Sequence, residues 1–234
     1  MIAKNGTEPG FTIGNGYAIY RGPVTDGSMH RHAAFQIAIA TQGEVAILDD
    51  TGALHHGTTL LVPPMTNHRL LPSPTLLTYF IEPQHAFADH LRGNRAPGIT
   101  PADDLRTLQE QDIQKAAPHP PTSLDPRLLA AMTLLSTTRT PMPALAAQVG
   151  LSPQRLRALA HRQLGMPLPR WRLWTQLRQA AESLRQGHSL SQAAQSAGFA
   201  DQPHFTRQMR QMMGLTPSTA LKILNPPPTP NNHR

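Results

Sequence analysis

Gly198-Phe199-Ala200-Asp201-Gln202-Pro203-His204-Phe205-Thr206-Arg207-Gln208-Met209-Arg210, closed by Gly214-Leu215-Thr216-Pro217, is the stretch that decides the architecture of this 234-residue chain. Gly198 marks a tight turn, the following residues a short capped helix, and Gly214 with Pro217 its stop. A helix over residues 190–197 precedes the turn. Helical spacing turns Phe205, Met209 and one of Met212 or Met213 inward and leaves His204 and Arg207 outward. Helix, glycine turn and a second helix with arginines on its open face make a helix-turn-helix suited to a polyanion, with DNA the expected partner.

The unit occurs twice. Ala146, the turn at Gly150 and apolar Leu156 anticipate Ala194, Gly198 and Phe205, with one more residue before the core contact in the second copy. Ser152 and Pro153 read as an N-cap and a first helical residue, so helices are expected over 143–149 and 154–164. Between the copies, residues 169–186 place Trp171, Trp174, Leu177, Ala181 and Leu184 at helical spacing. A connector of that length rises about 27 Å. It would hold two recognition helices roughly one duplex turn, about 34 Å, apart. Asp125-Pro126 opens a support helix carrying Leu128, Leu129, Met132 and Leu135. Charge agrees with this division: residues 125–224 hold twelve basic and three acidic side chains, whereas residues 1–124 hold eight and eleven. A one-sided arginine excess is the electrostatic footprint of a phosphate-backbone partner.

The first half reads differently. Short β-favouring runs at 17–21, 34–41, 44–48, 58–62 and 76–81 alternate with Gly, Pro and Asp punctuation, the pattern of a small sandwich or barrel. In residues 35–40 the odd positions are bulky and apolar and the even ones small or polar. Gln36, Ala38 and Ala40 are therefore expected to line a cavity, continuing a row from His30, His32 and Ala34. His55-His56 reads as a solvated turn, and helices are expected over 84–91 and 101–116, the latter a candidate dimer contact. Prolines 118, 120 and 121 then break regular structure. The division expected is a sensing domain over 1–117, a linker over 118–124, a DNA-binding domain over 125–224 and a disordered tail over 225–234.

Two resemblances sharpen this reading. His30-x-His32, Gln36, Gly57 and the run from Pro63 to His68 resemble the two half-motifs of a cupin barrel, with Gln36 where metal-binding cupins carry glutamate. Loss of that carboxylate weakens a site formed by His30, His32 and His68, so no cofactor is expected, and a divalent metal is the minor alternative. The region 125–221, above all the run from Gly198 to Pro217, resembles the AraC/XylS family of bacterial transcription regulators. It departs at Met209, where an aromatic is usual, and at Ala158 and Ala160, where arginine and phenylalanine are common. The resemblance implies an α+β two-domain protein, a cupin-like β-barrel followed by an all-α domain of two helix-turn-helix motifs joined by a linker helix. It also implies promoter DNA, a small-molecule effector, RNA polymerase and a second copy of the chain as partners.

Expected base or nearby phosphate contacts are Pro203, His204 and Arg207 in the second copy and Gln154, Arg155, Arg157 and His161 in the first. Arg210, with Arg162, Arg172 and Arg178, is expected as a phosphate contact or solvated charge. His30, His32, Gln36, Ala38 and His68 are the expected effector contacts. The chain has no cysteine, which excludes disulfides, thiolate metal sites and cysteine nucleophiles. Without a signal-like start or a long apolar run, the expected location is the cytoplasm, with no membrane partner. No constellation of nucleophile, base and oxyanion donors is legible, so a regulator is expected. A metal-dependent cupin enzyme with a DNA-binding appendage, and an architectural DNA binder without effector, are the alternatives.

Overall fold

The computed structural model describes residues 10–224 apart from Asp26, Asn94, Arg95, Pro118 and Pro120, with the side chains of 222–224 also left aside. The expected tail over 225–234 and two of the linker prolines lie outside the described residues. The first half is built of β1 (Gly10–Gly14), β2 (Tyr17–Val24), β3 (Phe35–Ala40), β4 (Val45–Asp49), β5 (Leu54–Gly57), β6 (Thr59–Val62), β7 (His68–Leu70) and β8 (Ser73–Ile81). Helix α1 (Phe87–Arg92), the two-residue strand β9 (Thr100–Pro101), a 3-10 turn at Asp103–Leu105 and α2 (Glu110–Ala116) follow. A six-stranded sheet runs β1-β2-β8-β3-β6-β9 and a three-stranded sheet β5-β4-β7. All ladders are antiparallel, and one isolated bridge, His30 to His68, lies between the named strands. The two sheets face one another without closing into the barrel that the sequence suggested.

Alternation along β3 explains the layering. Phe35, Ile37 and Ile39 pack on one face with Tyr79, Ile81, Ala88, Leu105 and Ile113. Ala38 and Ala40 pack on the other with Val45, Ile47, Leu60, Val62 and Leu76 between the sheets. The small residues on the even face therefore admit the second sheet closely, and Ala38, fully buried, sits in that packed seam instead of lining a cavity.

Several local expectations are corrected. β1 and β7 were not anticipated, and His55-His56 lies in β5 instead of a turn, with His55 Nε2 2.8 Å from Asp49 Oδ2 across the hairpin. The helix expected over 101–116 is reduced to α2, because Thr100 and Pro101 pair with Leu61 and Leu60 and Gln109 starts the helix through a capping box with Asp112. Leu105, Leu108 and Ile113 are nevertheless buried as their spacing required. In the linker region, the Asp89 carboxylate accepts hydrogen bonds from Thr122 and Ser123, which ties the chain there to α1.

The second half is helical: α3 (Pro126–Thr137), α4 (Met142–Gln148), α5 (Pro153–Leu164), α6 (Leu168–Arg185), α7 (Leu190–Ser196), α8 (Gln202–Met213) and α9 (Pro217–Leu224). The repeat is visible in backbone detail. Leu151 N–H donates to Ala146 O and Phe199 N–H to Ala194 O, each at 2.9 Å, closing the two turns at Gly150 (φ 68°) and Gly198 (φ 83°). Ser152 and Asp201 then cap α5 and α8, each twelve residues long and each ended by a left-handed glycine, Gly165 and Gly214. No described helix is long and apolar enough to cross a membrane.

The halves share a core. Ala18, Ala33, Ala34 and Phe80 of the sheet domain belong to one cluster with Leu156, Trp171, Trp174, Phe199, Phe205 and Met212. The end of α8 is held as well: Ser28 N–H and Oγ–H donate to Gly214 O at 3.3 and 3.2 Å, and Arg31 N–H donates to Gln211 O at 3.4 Å. A Cβ on Gly214 would stand 2.6 Å from His30 Nδ1 and 2.9 Å from Ser28 O, whereas a Cβ on Gly150 meets nothing within 4 Å. Both glycines have positive φ, so alanine at either costs about 1–2 kcal/mol from the backbone alone. Gly214→Ala is expected to cost clearly more than Gly150→Ala in denaturant titration of the full chain; equal losses would show that the 28–31 segment does not press on α8.

Candidate nucleic-acid interface and interdomain cavity

Burial divides each recognition helix into two faces. On α5, Leu156, Leu159, Ala160 and Leu164 are buried, and Gln154, Arg155, Arg157, Ala158, His161 and Arg162 are exposed. On α8, Phe205, Met209 and Met212 are buried, and Gln202, Pro203, Arg207 and Arg210 are exposed. Gln202, Pro203, Thr206 and Arg207 line one shallow concavity on that open face. Gln202 and Thr206 were missed in the sequence because neither carries charge; their place one turn from each other and beside Arg207 is the signal that would have found them. Every buried residue of the two helices is apolar, so the outward residues are held by packing behind them.

His204 also makes local contacts. Its backbone N–H donates to the Asp201 carboxylate at 2.6 Å, its Nδ1 accepts from Ala200 N–H at 3.4 Å, and its ring meets Phe199 edge-on at 5.5 Å. The half-buried imidazole thus braces the turn. Two arginines expected as phosphate contacts or solvated charges are also turned inward. Arg172 donates to the Thr140 carbonyl, and Arg178 Nε lies 3.4 Å from Glu82 Oε1 of the other half.

Between the halves lies a cavity of about 570 Å³, a volume that suits a small organic ligand. Phe11, Ile13, Tyr20, Leu70 and Phe80 line it from the sheet domain, and Leu177, Ala181, Met209 and Met213 from α6 and α8. Its polar groups include Gln36, Thr78, Glu82, Trp174, Arg178, Arg210 and His30. Glu82 is 2% exposed and accepts from Trp174 Nε1–H at 2.9 Å and from Gln84 Nε2–H at 2.6 Å. Thr78 Oγ1 is buried with no hydrogen-bond partner, a group that a ligand hydroxyl or carboxylate can satisfy. Trp174, expected as plain core, is thus also a hydrogen-bond donor across the seam.

Of the five expected effector contacts, His30 and Gln36 line this cavity. His32 and His68 lie behind them, fully buried. Each of the three histidine rings points Nδ1 at a main-chain carbonyl: His30 at Ser28 O (3.0 Å), His32 at Ala34 O (2.8 Å) and His68 at Thr66 O (2.9 Å). A carbonyl only accepts, so each Nδ1 carries the proton and each Nε2 presents a lone pair. Burial disfavours the imidazolium, holding His32 down at about 4 and His30 and His68 below the usual histidine range, the other rings adding repulsion at His32 and His68. The cluster is therefore neutral at physiological pH. Gln36 is 2.8 Å from His32 Nε2 and 2.9 Å from His68 Nε2.

Comparison with known proteins follows the same division. A family model described as a helix-turn-helix domain matches residues 145–223. No curated protein is significantly similar in sequence to the chain. Among solved structures, the fold is similar to that of ToxT from Vibrio cholerae O395 over 91% of this chain and 99% of that one, with a TM-score of 0.60 and 10% identity. ToxT from Vibrio cholerae strain SCE256 with a bound unsaturated fatty acid is similar over 89% and 96% (TM-score 0.59, 12% identity). ToxT bound to (E)-4-(8-methylnaphthalen-1-yl)but-3-enoic acid is similar over 90% and 100% (TM-score 0.59, 10% identity). The chain thus carries a matched helix-turn-helix domain behind an antiparallel-sheet domain, in an overall fold similar to that of ToxT.

Proposed function

We propose that this chain is a regulator of the AraC/XylS type that reads promoter DNA through the open faces of α5 and α8 and answers to a small amphipathic effector held in the interdomain cavity. The observation that carries the proposal is that α8 serves both surfaces. Its Gln202, Pro203, Thr206 and Arg207 face outward, while Met209 and Met213 of the same twelve residues wall the cavity. A ligand that favours one placement of α8 then changes DNA affinity by its differential affinity for the two placements, and DNA acts back on the ligand by the same factor. Arg207 is the residue for a bidentate contact to guanine, supported by Pro203 and His204. Gln154, Arg155, Arg157 and His161 serve the first half-site. Arg210 sits where the DNA face meets the cavity rim, so it is available to phosphate or to an anionic effector.

The largely apolar lining, two arginines and the unpartnered Thr78 hydroxyl support an effector with an apolar body and a carboxylate head. The fatty acid and the naphthyl butenoic acid carried by the ToxT structures have that chemistry. A homodimer that engages RNA polymerase in the cytoplasm completes the proposal. The enzyme alternative is less favoured, since Glu82, Trp174 and Arg178, the charged and donor groups at the centre of the seam, already hold one another.

Arg207→Ala is expected to weaken binding to a specific site by about 1–3 kcal/mol and to relax preference at one base pair, measured by competition against operator variants. An equal loss on every sequence would make Arg207 a phosphate contact. Arg172→Ala should leave the salt slope of DNA binding unchanged, while Arg155→Ala lowers it by about one unit; a lowered slope for Arg172→Ala would place that guanidinium on DNA. For the cavity, Ala181→Trp should abolish the thermal shift given by an unsaturated fatty acid such as oleate without changing ligand-free DNA affinity. An undiminished shift would move the effector elsewhere.

A further inference from the structure

We propose that His30, His32 and His68, with the carboxamide oxygen of Gln36, form a binding site for a first-row divalent transition metal ion, Zn²⁺ being the reference ion. The geometry stands apart from the effector reading, since it depends on the rings and not on the cavity. One ring nitrogen from each histidine lies within 4.8 Å of those of the other two. All three rings are held through Nδ1–H to main-chain carbonyls, the outer-shell arrangement that fixes a metal-ligating imidazole and raises its basicity. His30 and His68 are also locked to each other by a pair of main-chain hydrogen bonds of 2.9 Å each.

The consequence is an electron-rich focus. With Nδ1 protonated, His32 Nε2 and His68 Nε2 offer only lone pairs, and Gln36 Oε1, 2.8 and 2.9 Å away, offers more. Acceptors facing acceptors are resolved in one of two ways. The amide turns over so that its NH2 donates to both imidazoles, or a cation takes the centre. Tetrahedral Zn²⁺ with ligands at about 2.0–2.1 Å needs nitrogens roughly 3.4 Å apart, so the rings must close inward by about an ångström. Imidazole nitrogens with one neutral oxygen suit zinc, nickel or copper in preference to magnesium or calcium. His30 and Gln36 face the interdomain cavity, which supplies the entry route. Bound metal would fix residue 30, and thereby the 28–31 segment that holds the end of α8 through Ser28 and Arg31.

The test titrates the untagged full chain with Zn²⁺ against a competing chromophoric chelator, and with Co²⁺ by visible absorption. The proposal requires one equivalent per chain with a tetrahedral cobalt spectrum, and at least tenfold weaker binding for His30→Ala and for His68→Ala. Gln36→Glu distinguishes the two resolutions of the focus while keeping the side chain's size. Under the proposal the added carboxylate tightens Zn²⁺ binding about tenfold or more. If the amide instead serves only as a double donor, Gln36→Glu loses both hydrogen bonds, lowers thermal stability and gains no metal affinity, and the proposal falls. Binding that survives His30→Ala and His68→Ala undiminished would belong to exposed histidines such as His56 and His188 and would equally overturn it.

Discussion

A carboxylate removed from water must be answered by donors, and the answer given to Glu82 sets how the two halves of this protein meet. It stands just past the end of β8, almost fully buried, and its partners across the seam come from one helix: the Trp174 indole and the Arg178 guanidinium of α6. Taking away a partner of a buried charge is far more costly than never having buried it, so such a pair specifies an arrangement more than it stabilises one. Here it specifies the placement of the connector between the two DNA-binding motifs. Trp174 and Leu177 on that helix then pack against Ala18 and Phe80 in a common apolar cluster. The sheet half is thus attached to α6, the helix that joins the two helix-turn-helix motifs.

The cavity lies beside this pair, and Arg178 belongs to both. Arg178 pairs with Glu82 and donates to Gly14 O at 3.5 Å, and it also borders the cavity. An anionic ligand head drawn to Arg178 competes with Glu82 for the same guanidinium and is repelled by the Glu82 carboxylate. It therefore cannot bind without loading the seam. An apolar body alone would gain burial against Phe80, Met209 and Met213 and leave the ion pair untouched. The distinction separates ligands that merely occupy the space from those that shift the helices, because only an interaction that differs between arrangements moves an equilibrium.

The helical half was legible almost to the residue. Its signals are local: Ser152 and Asp201 cap, Pro153 and Pro203 fit the first turn, and glycines at 150, 165, 198 and 214 all take the left-handed conformation that only glycine adopts without strain. The sheet half was legible in its five central strands and not at its edges. β1, β5 and β7 are short or half-exposed, so neither alternation nor a continuous apolar run marks them. Ala38 shows the limit of a period-two reading. Alternation assigned it correctly to the face opposite Ile37, but whether that face meets a ligand or a second sheet depends on partners distant in sequence, Val45, Leu60 and Leu76. The inward turn of Arg172 and Arg178 was hidden for the same reason, since an arginine on a helix carries no mark of whether a carbonyl or a carboxylate waits opposite.

Gly214 draws these threads to one place. In a free-standing helix-turn-helix its left-handed φ would serve only to end α8, and another small or polar residue would cost little beyond the backbone term. Here its carbonyl accepts from Ser28 and its Cα faces the His30 ring, with no room for a methyl group. The residue that stops the recognition helix is also the one that lets the sheet domain approach it. His30 in turn shares a main-chain bridge with His68 and a wall of the cavity. The end of α8 therefore feels both the histidine cluster and the cavity through a segment of four residues. A short, hydrogen-bonded path of this kind is stiff, because packed interiors resist compression.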